Sequence, residues 1–465
     1  MSNKKIRGKD LRRIGIKGTK AVTIALEVVR KHYRNTAFSE ILEMLRKIKA
    51  SPGEYLEDAV LGPIAKALIE RKEDYFEVPL KDETSEYRIF GKEQISKGAI
   101  DQIEIALKLP VAVKGALMPD AHVGYGLPIG GVLAAENAII PYGVGVDIGC
   151  RMCLSVFKID PAILDERRSE LKKILVDNTR FGFTGFDNPI DHEVLERNEF
   201  KEISLVKSLK DKAYRQIGSS GGGNHFVDLG FVELLDVDND FDLPPGKYFA
   251  LLSHSGSRGL GARISQHYTK LAMSLCLLPK SAKHLAWLDL DKEEGLEYWL
   301  AMNLAGDYAS ACHHQIHERI EKALGEKASL RIENHHNFAW KMKLNGKEVI
   351  VHRKGATPAG KGELGIIPGS MTAPGFIVRG KGDEASLNSA AHGAGRQMSR
   401  RQAKENVTKK EFMQFLKKKG VELIGGGLDE SPAAYKDIHK VMDFQKDLVD
   451  ILGIFHPKIV RMAND

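Results

Sequence analysis

The chain is poor in cysteine, with four in 465 residues, and in tryptophan, with three. Four thiols (Cys150, Cys153, Cys276 and Cys312) are too few for a disulfide scaffold and fit thiols or metal ligands in a reducing compartment. No apolar run approaches the ~20 residues that span a bilayer. The N-terminal "MSNKKIRGKDLRR" lacks the apolar core of a secretion signal, so the expected compartment is the cytoplasm and no membrane partner is expected. No segment repeats at a fixed period and none is of low complexity. Neither sign of charge dominates: 69 Lys and Arg against 62 Asp and Glu leave +7, which permits a polyanionic partner without requiring one. What is present, 43% hydrophobic residues in a long chain, suffices for one large core or two to three smaller ones.

Residues 1–84 differ in texture from 85–465. In "KAVTIALEVVRKHY" and "FSEILEMLRKI" apolar residues recur at helical spacing, and "SPGEYLEDAVLGPIAKALIERK" opens on a turn and helix-start signal, which predicts a helical N-terminal extension. Its frequent Lys and Arg fit a solvated face of a packed cap or an RNA-binding surface. From "EYRIFGKEQ" onward a strand, a helix and then short β-branched runs cut by glycine pairs predict buried strands and functional loops. Helical signal returns at 258–277, 281–325, 396–419 and 431–452.

Several patterns resemble motifs and fail them. "GYGLPIGG" lacks the third glycine of a dinucleotide loop, and "GATPAGKG" carries Gly362 where a P-loop needs a Ser or Thr hydroxyl. Cys150 and Cys153 form C-x-x-C with no second pair and no thioredoxin-like context, so Cys153 reads as a small buried apolar residue. "CHHQIH" (Cys312, His313, His314, His317) reads as a solvated helix face, without a carboxylate to orient its imidazoles.

The remaining histidines stand beside Gly, Asn or Ser: His122, His225, His254, His335, His336, His352 and His392. Glycine-flanked positions let the backbone approach a ligand. A thiolate, imidazoles and a carboxylate suit borderline divalent ions such as Zn²⁺, Mn²⁺, Fe²⁺ or Co²⁺, and paired ions suit phosphoryl transfer. Glycine-rich "GSSGGGN", "HGAGR" and "IPGSM", with Arg258, Arg353, Lys354, Arg396 and Arg400, suit an anionic substrate.

The strings "MPDAHVGYGLPIGG", "GVGVDIGC", "GGGNHF", "SHSGSRGLG", "NHHNFAW", "VHRKGATPA", "IIPGSMTAPGFIVRGKG", "AHGAGRQMSR" and "ESPAAYKDIHKVM" resemble, in order, the RtcB family of tRNA-splicing RNA ligases, over about residues 87–452. The resemblance implies an α+β catalytic domain of mixed sheets flanked by helices over 85–465, with the site in a central cleft. It implies a GTP- and Mn²⁺-dependent ligase joining RNA 2′,3′-cyclic phosphate or 3′-phosphate ends to 5′-hydroxyl ends in RNA repair or tRNA splicing. His392 is then the nucleophile that carries GMP, and Cys150 bridges two Mn²⁺ ions, with Asp147 and His225 on one and His254 and His336 on the other. The nucleotide would meet Asn224, His225, Phe226, Asp228, His336, Asn337, Pro368, Gly369, Ser370, Met371, His392, Gly393, Ala394 and Gly395. Asp120 and His122 would support the site or position RNA. Expected partners are tRNA halves or cleaved RNA and an archease-like activator, around a monomer.

Three departures fall on nucleotide recognition. Asp228 replaces the family's usual glutamate, Gly375 a common serine, and Met462 the position of a lysine near the C-terminus, with Lys458 and Arg461 as imperfect substitutes. They predict an altered nucleotide preference. Arg151, where other members often carry glycine, raises the question of a narrowed cleft. The alternatives are a metal-dependent RNA end-processing phosphodiesterase and a nucleic-acid-binding module with a structural metal.

Overall fold

The computed structural model describes residues 6–16, 19–34, 36–73, 78–239 and 241–464. The chain divides into two compact units, Met1–Glu77 and Val78–Asp465. In the first, helices Thr19–His32, Phe38–Ala50 and Gly62–Glu73, with the short Gly8–Arg13, enclose a core that includes Leu11, Ala25, Leu45, Ile48 and Ile64. The helical spacing of the apolar residues gives each helix one inward stripe.

The second unit is α+β and is built on two mixed sheets. The larger runs in the order Leu364–Ile367, Gly375–Gly380, Val449–Met462, Phe226–Leu234, Gly246–Ser255, Arg151–Val156 and Leu330–His335, with Glu422–Ile424 added in parallel beside Val449–Met462. The smaller runs Glu86–Ile89, Ala112–His122, Ile129–Ala135, Lys347–Lys354 and Asn337–Leu344. Side chains alternate across the large sheet. Met152, Leu154 and Leu252 fill one face, and Phe249 and Leu251 pack the other beneath Ile316 and Ile320 of the long helix Glu293–Leu324. Helix Lys97–Leu107 covers the small sheet through Ala99, Ile103 and Leu107.

One residue joins the two sheets. Leu330–His335 pairs with Arg151–Val156 and Asn337–Leu344 pairs with Lys347–Lys354, so the chain steps from sheet to sheet at His336.

Several predicted elements are corrected. Of 431–452 only Ile438–Asp443 is a regular α-helix, and Val449–Met462 is a strand between two others: a buried strand is apolar on both faces, which periodicity does not separate from a helix. The 396–419 signal is two helices, Arg400–Asn406 and Lys409–Lys418, each begun by a capping box at Ser399 and Thr408. The 281–325 signal is regular only from Glu293.

Candidate active site

The sequence "VDIGC" folds as a tight turn. Cys150 N donates to Asp147 O (3.2 Å), and Gly149 takes φ +71°, as the third residue of a type II turn must. A Cβ at Gly149 would lie 2.9 Å from Gly306 Cα, so glycine also lets the long helix rest on the turn. Asn337 clamps it, donating Nδ2 to Asp147 O (3.3 Å) while its Oδ1 accepts from Gly355 N (2.7 Å). His336 N donates to Cys150 O (2.9 Å).

Five side chains converge at this end of the large sheet. Cys150 precedes Arg151–Val156, His225 precedes Phe226–Leu234, and His254 lies opposite both Phe226 and Met152 in the ladder. Cys150 Sγ lies 3.2 Å from His254 Nε2 and 3.5 Å from His225 Nε2. His254 Nε2 lies 3.3 Å from His336 Nε2, and His225 Nε2 lies 2.9 Å from Asp147 Oδ2. The structure thus brings together Asp147, Cys150, His225, His254 and His336.

The donor chemistry fits divalent ions. His254 Nδ1 donates to Asn224 O (3.0 Å), which leaves the Nε2 lone pair aimed at Cys150 and His336; a carbonyl partner on the far nitrogen is the usual way a ligating histidine is oriented. Burial holds His254 and His336 well below the ordinary histidine range, so both are neutral. Burial opposes charge on Asp147, but the His225 contact outweighs it and keeps the carboxyl below its ordinary range. The Cys150 thiol is pushed well above its ordinary range by burial and then by Asp147. An ion here would displace that proton and relieve the crowding of lone pairs.

His392 stands beside this cluster, its ring centroid 5.1 Å from that of His336. Asp120, fully buried in the strand Ala112–His122, accepts the His392 Nδ1–H at Oδ2 (2.6 Å). The same oxygen accepts from His392 N (3.1 Å) and Gly393 N (3.3 Å). A carboxylate on Nδ1 fixes the tautomer and leaves Nε2 as the nucleophilic atom. Gly395, at φ +73°, lets the chain pass directly over the Asp120 carbonyl.

A cavity of ≈ 300 Å³ opens at His392. Of the residues that the family resemblance gives to the nucleotide, Asn224, Phe226, Asp228, Pro368–Met371 and His392–Gly395 line it. His225 and His336 face the donor cluster instead, and Asn337 is spent on the turn. Asp228, Gly375 and Met462 all line this cavity. Lys458 lies over the Phe231 ring and Arg461 over the Phe181 ring, and neither lines it. Burial pushes the Asp228 carboxyl well above its ordinary range, and its Oδ1 has no partner among the described residues. Arg396 and Arg400, two of the cations that the sequence suggests for an anionic substrate, line it together with Glu430 and Tyr435; Arg400 Nη1 reaches Asp429 and Glu430 at 2.7 Å. A broader groove of ≈ 1520 Å³ adjoins, bordered by Arg401, Lys419, Lys436 and Lys440, and His122 lines both spaces.

Other expected site groups prove structural. His352 is fully buried: Nε2 accepts from Ile140 N (2.9 Å) and Nδ1 donates to Leu133 O (3.2 Å). Arg353 is buried on Ser389 and the Leu387 and Asn388 carbonyls, and Lys354 donates to the Tyr125 and Tyr142 carbonyls. Arg258 bonds Ser219 and the Gly182 carbonyl. These cations satisfy the protein's own oxygens. Arg151 turns to Glu333 (2.6 Å) and His335 (3.0 Å) and does not narrow the cleft.

"CHHQIH" is largely a buried face. Cys312, His313 and His317 are fully buried, and the partly exposed His314 does have a carboxylate, Glu333, at 3.0 Å. Ser253 Oγ bridges His313 Nδ1 (2.6 Å) and His317 Nε2 (2.8 Å), and Ser155 Oγ meets His317 Nδ1 (2.8 Å). The helix looked polar because its partners are polar residues of distant strands.

Fold and donor set define an α+β protein built on two large sheets, with a thiol, carboxylate and imidazole centre able to hold metal ions. The family model of "tRNA-splicing ligase RtcB" matches residues 102–204 and 184–462. The RNA-splicing ligase RtcB of Escherichia coli K12 is 33% identical, over 77% of this chain and 92% of its own. The tRNA-splicing ligases RtcB of Methanococcus maripaludis and Nanoarchaeum equitans are 32% and 30% identical, over 76% and 84% of this chain and 89% and 96% of their own. The chain belongs to the RtcB family.

Proposed function

We propose that this protein is an RNA ligase that uses GTP and Mn²⁺ to join an RNA 3′-phosphate, formed where needed by opening a 2′,3′-cyclic phosphate with water, to a 5′-hydroxyl. The observation that carries the reading is His392, fixed by Asp120 so that Nε2 faces a nucleotide-sized cavity beside the Cys150 cluster. His392 Nε2 attacks the α-phosphorus of GTP, pyrophosphate leaves, and the GMP is held as a phosphoramidate. The RNA 3′-phosphate takes the GMP and frees His392; the 5′-hydroxyl then attacks the activated phosphate and GMP departs. Asp147, Cys150, His225, His254 and His336 would hold two ions, which when bound neutralise charge on the phosphates and lower the pKa of the attacking hydroxyl. Asp120 keeps the proton on Nδ1, stabilises the ring as its positive charge develops and orients Nε2. Backbone N–H groups of Ala394, Gly395 and Gly369–Met371 lie around the cavity that would take the anionic nucleotide, the Gly393 N–H being held by Asp120. The groove bordered by Arg401, Lys419, Lys436 and Lys440 suits an RNA strand leading to His392.

Asp228, Gly375 and Met462 on one cavity wall favour a shifted base preference. The test is self-labelling with α-³²P-GTP and Mn²⁺. A label mapped to His392 and absent from His392→Ala supports the reading; a label on another residue, or none at saturating GTP, overturns it.

A further inference from the structure

We propose that the N-terminal helical unit is a phosphate-backbone grip for structured RNA. The inference rests on the ligase reading for the kind of polyanion, and on charge distribution and burial for the grip itself.

Charge is concentrated in this part of the chain. Residues 1–50 hold fourteen Lys and Arg against four Asp and Glu, a net +10, whereas residues 51–465 hold 55 against 58, a net −3. The family match begins only at residue 102, so this basic segment is an addition to the family's common part. The catalytic unit, residues 78–465, is net +1 and has little long-range attraction for RNA, whereas the helical unit, residues 1–77, is net +6, its first fifty residues carrying +10 and the rest −4.

The unit's own core positions its cations. Arg30, Lys31 and Arg34 are exposed at the C-terminal end of Thr19–His32, with Arg34 Nε anchored on Arg30 O at 2.7 Å. Arg46 and Lys49 are exposed at the end of Phe38–Ala50, and the Lys49 ammonium lies over Gly15, two residues from exposed Arg13. None of these six has a carboxylate partner among the described residues; the nearby Lys47 does, in Glu43. Thr19 to Arg30 is about 16 Å of helix at 1.5 Å per residue. The six cations are spread over two helices and the turn at Gly15, which suits a run of successive phosphates better than a single one.

A membrane surface fits less well. An interfacial helix needs an apolar face to insert, and the described residues of this unit expose no large hydrophobic side chain, because Val22, Val29, Ile41 and Leu45 are buried in its core.

The test uses the full chain with all six residues changed to Gln, and two triple variants, Arg30/Lys31/Arg34→Gln and Arg13/Arg46/Lys49→Gln. Binding of a fluorescent RNA hairpin ending in a 3′-phosphate is measured between 50 and 200 mM KCl, with far-ultraviolet circular dichroism confirming helix content. With each phosphate contact contributing about 0.7–0.9 to the salt slope, the sextuple variant is expected to flatten it by at least about 2 and to weaken low-salt binding at least about 10-fold. Each triple variant is expected to give roughly half of this, which keeps the test valid if the sextuple variant does not fold. His392 labelling by GTP should be unchanged, and its failure in the wild type would overturn the ligase reading separately. An unchanged salt slope overturns the grip, as does binding to phosphatidylserine vesicles that these substitutions abolish while RNA binding persists.

Discussion

Asp120 and His392 form a fixed pair: one carboxylate oxygen, 2.6 Å from Nδ1, also takes the backbone N–H of the histidine and of its successor Gly393. Three donors on one buried oxygen leave the ring a single orientation. Asp120→Asn keeps an amide oxygen that can accept these donors but removes the negative charge, and loss of a hydrogen bond to a charged group costs roughly 1.5–3 kcal/mol. The expected result is a ~10–100-fold slower self-labelling with metal content unchanged, read by single-turnover nucleotidylation; an unaltered rate would show that His392 needs no such partner.

Metal uptake should release protons. The Cys150 thiol is held well above its ordinary range, so an ion must displace its hydrogen and apparent affinity should climb with pH. Titration calorimetry of Mn²⁺ in buffers of different ionisation enthalpy measures the release. In Cys150→Ser it should fall by about one proton, with affinity at least ~10-fold weaker.

Asp228 presents a short carboxyl to the cavity, which gives the ligase proposal a test in nucleotide choice. The reading expects Asp228→Glu, one methylene longer, to tighten GTP relative to ATP, by about 10-fold if one hydrogen bond to a charged group is gained. Competition between the two nucleotides in the self-labelling assay checks the direction; tighter ATP discrimination against GTP would refute it.

Acid stability is set by neutral buried histidines. Burial lowers His352 to about 4 from an ordinary 6.5. The unfolded chain therefore takes up a proton before the folded one does. Its contribution is full above pH 6.5 and declines as pH falls toward 4, by up to about 3 kcal/mol. His122, near 4, and His313 and His335, near 3, act in the same direction. In urea titrations from pH 7 to 4, the midpoint should drop steeply in the wild type, and the drop should be shallower by up to one proton in His352→Gln.

Ser253 carries the polar layer behind the donor cluster. Ser253→Ala leaves His313 Nδ1 and His317 Nε2 without their partner and should cost about 1–3 kcal/mol of stability. Denaturant unfolding measures it; a change under 0.5 kcal/mol would mean that the imidazoles re-pair.

The family resemblance pointed to Asp147, Cys150, His225, His254 and His336, which the fold brings together, whereas the residues alone left seven glycine-, asparagine- or serine-flanked histidines open; Asp147 and Cys150 share one turn, and His254 is oriented by the Asn224 carbonyl. Sequence order said less where partners lie far apart. His313 and His317 looked solvated because Ser155 and Ser253, more than fifty residues earlier, are invisible to local periodicity. His352, Arg353 and Lys354 looked functional for the converse reason: glycine neighbours suggested an open loop, while the chain there is a central strand of the small sheet. The helical signal over 431–452 runs into the first four residues of the strand Val449–Met462, because double-sided burial erases the alternation that marks a strand.

His336 gives the cleft a mechanical property. The residue is a single-peptide stitch between two sheets, with its imidazole in the donor cluster and its neighbours in opposite ladders. Prying the sheets apart would pull that ring away from His254 and Cys150, so opening of the cleft would break up the donor cluster. The two hollows meet elsewhere, at His122 and Arg396.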